Sequence, residues 1–196
     1  MRVIQINIYL PELIYSFFVW LVLRYRKIRY GYAFRRIPLT QGKFAIVDVE
    51  DYQALARHKW FSVKYGRCFY AGRKGISKIT GRKTRFILMH RQILEVPEGK
   101  VVDHINHNGL DNRKANLRIV TVLQNSWNAR KQTGNFSSKY KGVSLIKRTW
   151  KWKANIIYKG KKIFLGCFDD EHSAAKAYDA RAAKLFGEYA VLNFPV

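Results

Sequence analysis

The sequence predicts an α+β protein of two modules: a strand–loop–strand–helix unit, then a three-stranded antiparallel sheet packed on one helix. Three observations predict it. Val101–Asn125, VVDHINHNGLDNRKANLRIVTVLQN, holds two β-branched runs around a loop of Asn, Gly and Asp. Arg130–Tyr140, RKQTGNFSSKY, is polar, carries Gly134 and paired serines, and reads as a linker. Beyond it, three short β-rich runs precede an alanine-rich segment of helical period. The division this implies is an apolar and basic N-terminal extension at 1–36, a first domain at 37–131, a linker at 132–138 and a second domain at 139–196.

Each element has its own signal. The extension carries LIYSFFVWLVL, Leu13–Leu23, followed by the basic cluster RYRKIRYGYAFRR, Arg24–Arg36. Eleven apolar-rich residues are too few to span a bilayer, and no small-residue cleavage site follows. The run is read as a buried or frayed helix or as an extension upstream of the functional start, with a short anchor, positive flank in the cytoplasm, as the alternative. KFAIVDV, Lys43–Val49, is β-rich, and DYQALARHKW, Asp51–Trp60, reads as a short helix capped by Asp51. WFSVKYGRCFYAGRK, Trp60–Lys74, reads as two strands around Tyr65-Gly66. RFILMHRQILEV, Arg85–Val96, has the apolar spacing of a helix packed on the core, and Pro97 and Gly99 break the chain after it.

KVVDHIN, Lys100–Asn106, is then a strand, HNGLDNRKA a loop and NLRIV a second strand. Thr121 and Gln124 stand at capping-box spacing and open a helix over TVLQNSWNARK. In the second domain, strands are expected near Tyr140–Ile146, Lys151–Tyr158 and Lys161–Phe168, with Lys159-Gly160 in a tight hairpin turn. A helix follows near His172–Phe186, its Ala174, Ala175, Tyr178, Ala182 and Leu185 at helical spacing and Gly187 as its stop.

Composition restricts the partners. Hydrophobic content of 48% and aromatic content of 15% over 196 residues support packed cores. Lys and Arg number 37 against 13 Asp and Glu, a formal charge of +24 spread along the chain. A compact fold this basic repels itself unless a polyanion balances it, and nucleic acid is the expected partner. The two cysteines, Cys68 and Cys167, form no Cys-x-x-Cys pair, so a zinc ribbon is not expected and a reducing, cytoplasmic or nucleoid setting is.

An Asp and a His side by side on a strand serve no need of the fold. Cutting a phosphodiester calls for a base that takes a proton from water, a cation at the leaving oxygen, and a group that fixes the base's tautomer. His104 suits the base. Asp103 and the Asn125 carboxamide suit a hard cation such as Mg²⁺ or another divalent ion. Asn116 suits the orienting group on the His104 ring. His90 is read as a residue of a helix face packing beside the site, His107 and Asn108 as loop residues that touch DNA, and His58 and His172 as structural or solvated.

VVDHIN, ANLRIVT and QN resemble the HNH (ββα-metal) nucleases, and most of all the phage- and intron-associated homing endonucleases in which the third motif position is Asn. The resemblance spans roughly Ile37–Lys131. It implies a general base at His104, metal ligands at Asp103 and Asn125, and an orienting Asn at Asn116. In the second domain YKGV, WKANI, LGCF, AAKAYD and LNFP resemble the APETALA/ethylene-response-factor type of DNA-binding domain. That resemblance implies a sheet whose outer face meets DNA, with Lys141, Lys147, Arg148, Lys151, Lys153 and Lys162 as its cations. Ser144, Ile157 and Phe164 stand where plant members often have Arg or Trp, so the plant family's GC-rich target is not carried over. Trp152 is read as core.

The reading is a metal-dependent HNH endonuclease of homing or mobile-element type, a phosphodiester hydrolase aimed by its second domain. It is expected to act as a monomer with no small-molecule cofactor and no membrane partner. The alternative is a DNA-binding transcriptional regulator whose nuclease site is inactive.

Overall fold

The computed structural model describes residues 11–76, 83–132 and 134–195; the first ten residues of the N-terminal extension and Thr133 of the expected linker lie outside them. Helices and antiparallel sheets occupy separate stretches of chain, giving the α+β class the sequence predicts. The chain divides into two compact units, Met1–Glu95 with His104–Arg118, and Val96–Asp103 with Ile119–Val196.

In the first unit, α1 (Glu12–Tyr30) begins after Pro11, and Gly31 closes it in the left-handed region, its N–H donating to the Lys27 carbonyl. Glu12 in its first turn and Lys27 and Arg29 in its last suit the helix dipole. The expectation of a buried helix is corrected here, because no residue of α1 is buried. Leu13, Phe17, Phe18 and Trp20 all face solvent. No helix among the described residues is long and apolar enough to cross a membrane.

β1 (Arg35–Pro38) pairs antiparallel with β2 (Phe44–Val47), and α2 (Val49–Ala56) follows. α2 starts two residues before the expected Asp51, with Asp48 in the N-cap position. Asp51 lies inside the first turn and instead meets Lys114 at 2.8 Å, a partner no local pattern could reveal. β3 (Phe61–Tyr65) and β4 (Cys68–Ile76) make the hairpin expected around Tyr65-Gly66, and β5 (Lys83–Leu88) extends the sheet in the order β3-β4-β5. The expected helix at Arg85–Val96 is thus strand up to Leu88, and only α3 (Met89–Ile93) is helical. The ladder with β4, Arg73 opposite Ile87, overrides helical spacing that a short apolar run can satisfy by chance. Ile37, Ala45, Val47, Leu55, Trp60, Ala71 and Met89 form the core of this unit.

β6 (Lys100–His104) and β7 (Leu117–Thr121) form a two-stranded sheet, and α4 (Val122–Trp127) follows directly, the order read from the sequence. The division between the units falls inside this hairpin, at the Asp103–His104 bond of β6 and the Arg118–Ile119 bond of β7. Both halves of the expected capping box are present on α4: Gln124 N–H donates to the Thr121 hydroxyl, and Thr121 N–H to the Gln124 side chain.

In the second unit, β8 (Val143–Ile146), β9 (Lys151–Tyr158) and β10 (Lys161–Phe168) form one antiparallel sheet in the order β10-β9-β8. Lys159 and Gly160 both take positive φ, 49° and 75°, the geometry of a type I′ hairpin turn. α5 (Glu171–Phe186) is capped by Asp170, whose carboxylate accepts the Ser173 N–H at 2.8 Å, and stops at Gly187. Its small Ala174, Ala175 and Ala182 let it lie close against Val143, Ala154 and Ile156. Buried Asp179 accepts the N–H groups of Asn193 and Phe194, which fixes the LNFP tail back onto α5. Ser137 and Ser138 of the expected linker accept the N–H groups of Leu145 and Tyr140, so this stretch is bonded to the module that follows it.

Candidate active site

The His104 side of the site rests on a loop that the sequence builds from short polar side chains. Asn106, Asn108 and Asp111 each accept a backbone N–H two residues ahead, the Asx turns these residues favour. His107 takes a positive φ of 61° and donates its N–H to the His104 carbonyl, turning the chain directly after β6. Arg113 grips the Asp111 carboxylate with Nε at 2.7 Å and a terminal nitrogen at 2.6 Å, and its guanidinium stacks on Tyr32 at 3.6 Å. Gly109 packs so closely on Tyr70 and the Phe69 carbonyl that a β-carbon there would lie 2.6 Å from both.

Asn116 is buried at the centre of this loop. Its carboxamide oxygen accepts the Asn106 N–H at 2.9 Å, its nitrogen donates to the Asp111 carbonyl at 2.8 Å, and its own carbonyl accepts the Ile105 N–H. The side chain expected to orient the His104 ring therefore spans the loop backbone on either side of it. Asn116 fixes the turn that leaves His104.

The His104 ring is buried among two others. His90 stands perpendicular to it with centroids 5.0 Å apart, and Tyr70 lies 5.7 Å from each imidazole. His90, on α3, is 5% exposed, and its Nδ1 finds no hydrogen-bond partner among the described residues. Burial first, then the neighbouring His104 and Arg91, pushes its pKa down from 6.5 to about 3, so it is a neutral ring at any working pH. Sequence reading placed His90 beside the site; the ring contact with His104 became visible only once β5 and α3 were placed.

The Asp103 side belongs to the other unit. Asp103 is buried, and the Asn128 carboxamide nitrogen donates to both of its carboxylate oxygens, at 2.7 and 2.9 Å. Asn128 is the C-cap of α4, three residues beyond Asn125, and Asn125 itself is exposed on that helix. The sequence points to Asn125, and the asparagine of this segment that bonds Asp103 is Asn128. The available signal was the pair Asn125 and Asn128, which share a helix face at i, i+3 spacing. Among the described residues, no group of three or more His, Cys, Asp or Glu side chains is placed to hold a metal. The Asp103 carboxylate and the exposed Asn125 carboxamide are hard oxygen groups, of the kind that suits Mg²⁺ or Ca²⁺ and suits zinc or copper poorly.

The six cations expected on the sheet fall into different settings. Lys147, Arg148, Lys151 and Lys162 are exposed, and Lys151 pairs with exposed Asp169 at 3.1 Å. Lys153 lies across from Ser144 and Cys167 on the face turned away from α5, as does Lys162, opposite Ile157. Ile157 and Phe164 are 64% and 60% exposed on that face, and Trp150 is 74% exposed in the β8–β9 turn. Trp152 packs into the core as expected. Lys141 differs from the rest: its ammonium donates to the carbonyls of Trp127 and Ala129, at 3.0 and 2.6 Å. Burial pushes its pKa down to about 8. A cleft of about 490 Å³ is lined by α4, by β8 and β9 and by Tyr178 and Phe186 of α5, with Ser126, Lys159 and Lys162 among its walls.

Comparison with known proteins agrees with this layout. A family model described as HNH endonuclease matches residues 95–127, which hold β6, the loop, β7 and α4. An uncharacterized HNH endonuclease of Acanthamoeba polyphaga mimivirus is 33% identical over 157 residues, covering 78% of this chain and 76% of its own. Over a C-terminal region, an AP2-like ethylene-responsive transcription factor of Arabidopsis thaliana is 45% identical across 60 residues. That match takes in 31% of this chain and 12% of the plant protein. Dehydration-responsive element-binding protein 2D of the same plant is 48% identical over 64 residues, 31% of this chain and 30% of its own length.

Proposed function

The chain belongs to the HNH endonuclease family, and we propose that it hydrolyses phosphodiester bonds of double-stranded DNA with a divalent cation, held to its target by the C-terminal sheet. The observation that carries this reading is the buried Asp103–Asn128 pair one peptide bond from buried His104. Such a pair has little value to the fold alone, because a buried carboxylate costs several kcal/mol to desolvate. Its value is chemical.

In this reading His104 takes the proton of the attacking water. His90 and Tyr70 hold its ring by their edge-to-face contacts, and neutral His90 adds no charge that would oppose its protonation during the reaction. Asn116 sets the direction of β6 as it enters the loop. Asp103 and the carboxamide oxygen of Asn125 would hold the cation, with the Asn128 amide nitrogen fixing the Asp103 carboxylate. When bound, the cation would supply charge at the phosphate and at the leaving oxygen. Lys153, Lys162, Lys147 and Arg148 meet phosphates, while Trp150, Ile157 and Phe164 give the outer face apolar contacts for sugars and thymine methyls. By role we assign cutting to 37–131 and DNA reading to 139–196, a division that differs from the packing units, which part inside β6 and β7. A homing or mobile-element role fits a nuclease joined to its own reader.

Relaxation of supercoiled plasmid with Mg²⁺ and with EDTA tests the proposal. Nicking or linearisation in Mg²⁺ that stops in EDTA supports it. Tight DNA binding with no cutting in Mg²⁺, Mn²⁺ or Ca²⁺ would instead identify a regulator with an inactive site.

A further inference from the structure

We infer that the C-terminal module is a working part of the cutting centre, because it holds α4 in place through Trp127 and Lys141. α4 has six residues, and a helix that short does not persist in water by itself. Its capping box secures only the start. The far end, where Asn128 bonds Asp103, is held from the C-terminal module. The Trp127 indole stacks on Phe186 with centroids 4.9 Å apart and planes 16° apart, and on Tyr158 at 5.9 Å and 28°. Tyr189 closes on it at 6.4 Å. The Lys141 ammonium caps the carbonyls of Trp127 and Ala129, the residues on either side of Asn128. Lys131 returns a bond to the Tyr140 carbonyl at 2.7 Å.

These contacts bracket Asn128 from both sides in sequence and leave it one orientation toward Asp103. Phe186 ends α5 and Tyr158 ends β9, and both pack in the core cluster of the module with Ile156, Tyr178 and Ala182, so the clamp is seated on its helix and sheet. Lys141 was expected to meet DNA; the structure commits its ammonium to the end of α4. Trp127 and Lys141 are thus positioning residues, acting on the reaction through Asn128.

The cleavage arm of the test rests on the proposed nuclease reading, and amide exchange supplies an arm that does not. In the full chain, Trp127→Ala should speed hydrogen exchange of the α4 amides while the amides of β3 and β4 keep their protection. At saturating DNA, cutting should slow by about 10²-fold, the cost of a misplacement near 1 Å. The Mg²⁺ concentration for half-maximal rate should rise, while DNA affinity measured in EDTA stays the same. Trp127→Phe, which keeps a stacking ring, should restore most of each loss. Lys141→Met should reproduce the exchange and Mg²⁺ effects more weakly, with an unchanged salt dependence of DNA binding. If Trp127→Ala does not fold, Trp127→Leu keeps apolar volume without a ring and should show the same three changes.

Unchanged exchange of α4 in these variants would overturn the inference, whatever the chain does to DNA. A loss of rate fully matched by a loss of DNA affinity, at an unchanged Mg²⁺ midpoint, would overturn it as well. An unaltered chain that cuts with no divalent cation would sink the nuclease reading, and the exchange result would then decide the clamp by itself.

Discussion

Acid should weaken the first unit through His90, and the size of the effect follows from its burial. The ring has a pKa of about 3 in the fold against 6.5 when free. A group whose folded pKa is depressed contributes fully above its unfolded pKa. Its contribution is lost as pH falls, because the unfolded chain takes up the proton that the native chain refuses. The loss begins near pH 6.5 and continues to about pH 3. Each unit of pH in that window costs about 1.4 kcal/mol, so moving from pH 7.5 to 5.5 removes roughly 1.4 kcal/mol through this group. Urea unfolding followed by fluorescence suits the measurement, since Trp60 is buried in the same unit's core. His90→Gln removes the titration and should flatten the fall between pH 7.5 and 5.5 by that amount, whatever it costs at neutral pH. The other four histidines are present in both chains and cancel to first order. Equal pH slopes for the two proteins would show that His90 is accessible to protons in the native state, and the neutral-ring argument would fail.

Further outcomes test the site and the reader. His104→Ala should bind DNA normally in EDTA and lose cleavage by about 10²–10⁴-fold, the range for a positioned general base; near-normal cutting would remove His104 from that role. Asn128→Ala takes two hydrogen bonds from a buried carboxylate and should cost about 1–3 kcal/mol in chemical denaturation as well as most of the cleavage. Asn125→Ala, at an exposed position, should keep stability, so any cleavage loss there reports on the cation alone. Lys153→Ala combined with Lys162→Ala should reduce the slope of log affinity against log salt by about 1.8, roughly 0.9 for each phosphate no longer neutralised. An unchanged slope would move the DNA surface off the outer face of the sheet.

The parts of the fold that were legible in the sequence are those specified locally. The Thr121–Gln124 box, the Lys159-Gly160 turn and the Gly187 stop each depend on residues a few positions apart, and each took the expected form. The strand–loop–strand–helix order was legible for the same reason. Readings failed where a distant partner decides. Arg85–Leu88 is a strand because β4 offers it a ladder. Asp51 meets Lys114 across 63 positions of chain. Asn128 was missed because its partner Asp103 is 25 residues away, and which asparagine of α4 reaches it depends on where the helix ends. Lys141 read as one more DNA-facing cation because its composition-level signal is the same. Only the fold shows that the carbonyls of Trp127 and Ala129, at the end of α4 and just past it, hold its ammonium.

The Tyr158–Trp127–Phe186 stack also bears on how such readers can be exchanged between nucleases. A recombination joint in 132–138 leaves the indole with one parent and its two aromatic partners with the other. A chimaera made there inherits a large apolar ring with no seat, unless the incoming reader carries rings at the ends of the equivalent strand and helix. A joint at Ile119 keeps all three rings on one inherited piece, but it cuts β7 and leaves Asn128 and its partner Asp103 with different parents. The piece that travels whole is then Ile119–Val196 together with Val96–Asp103, a reader that keeps its own α4 and the strand residue to which Asn128 bonds.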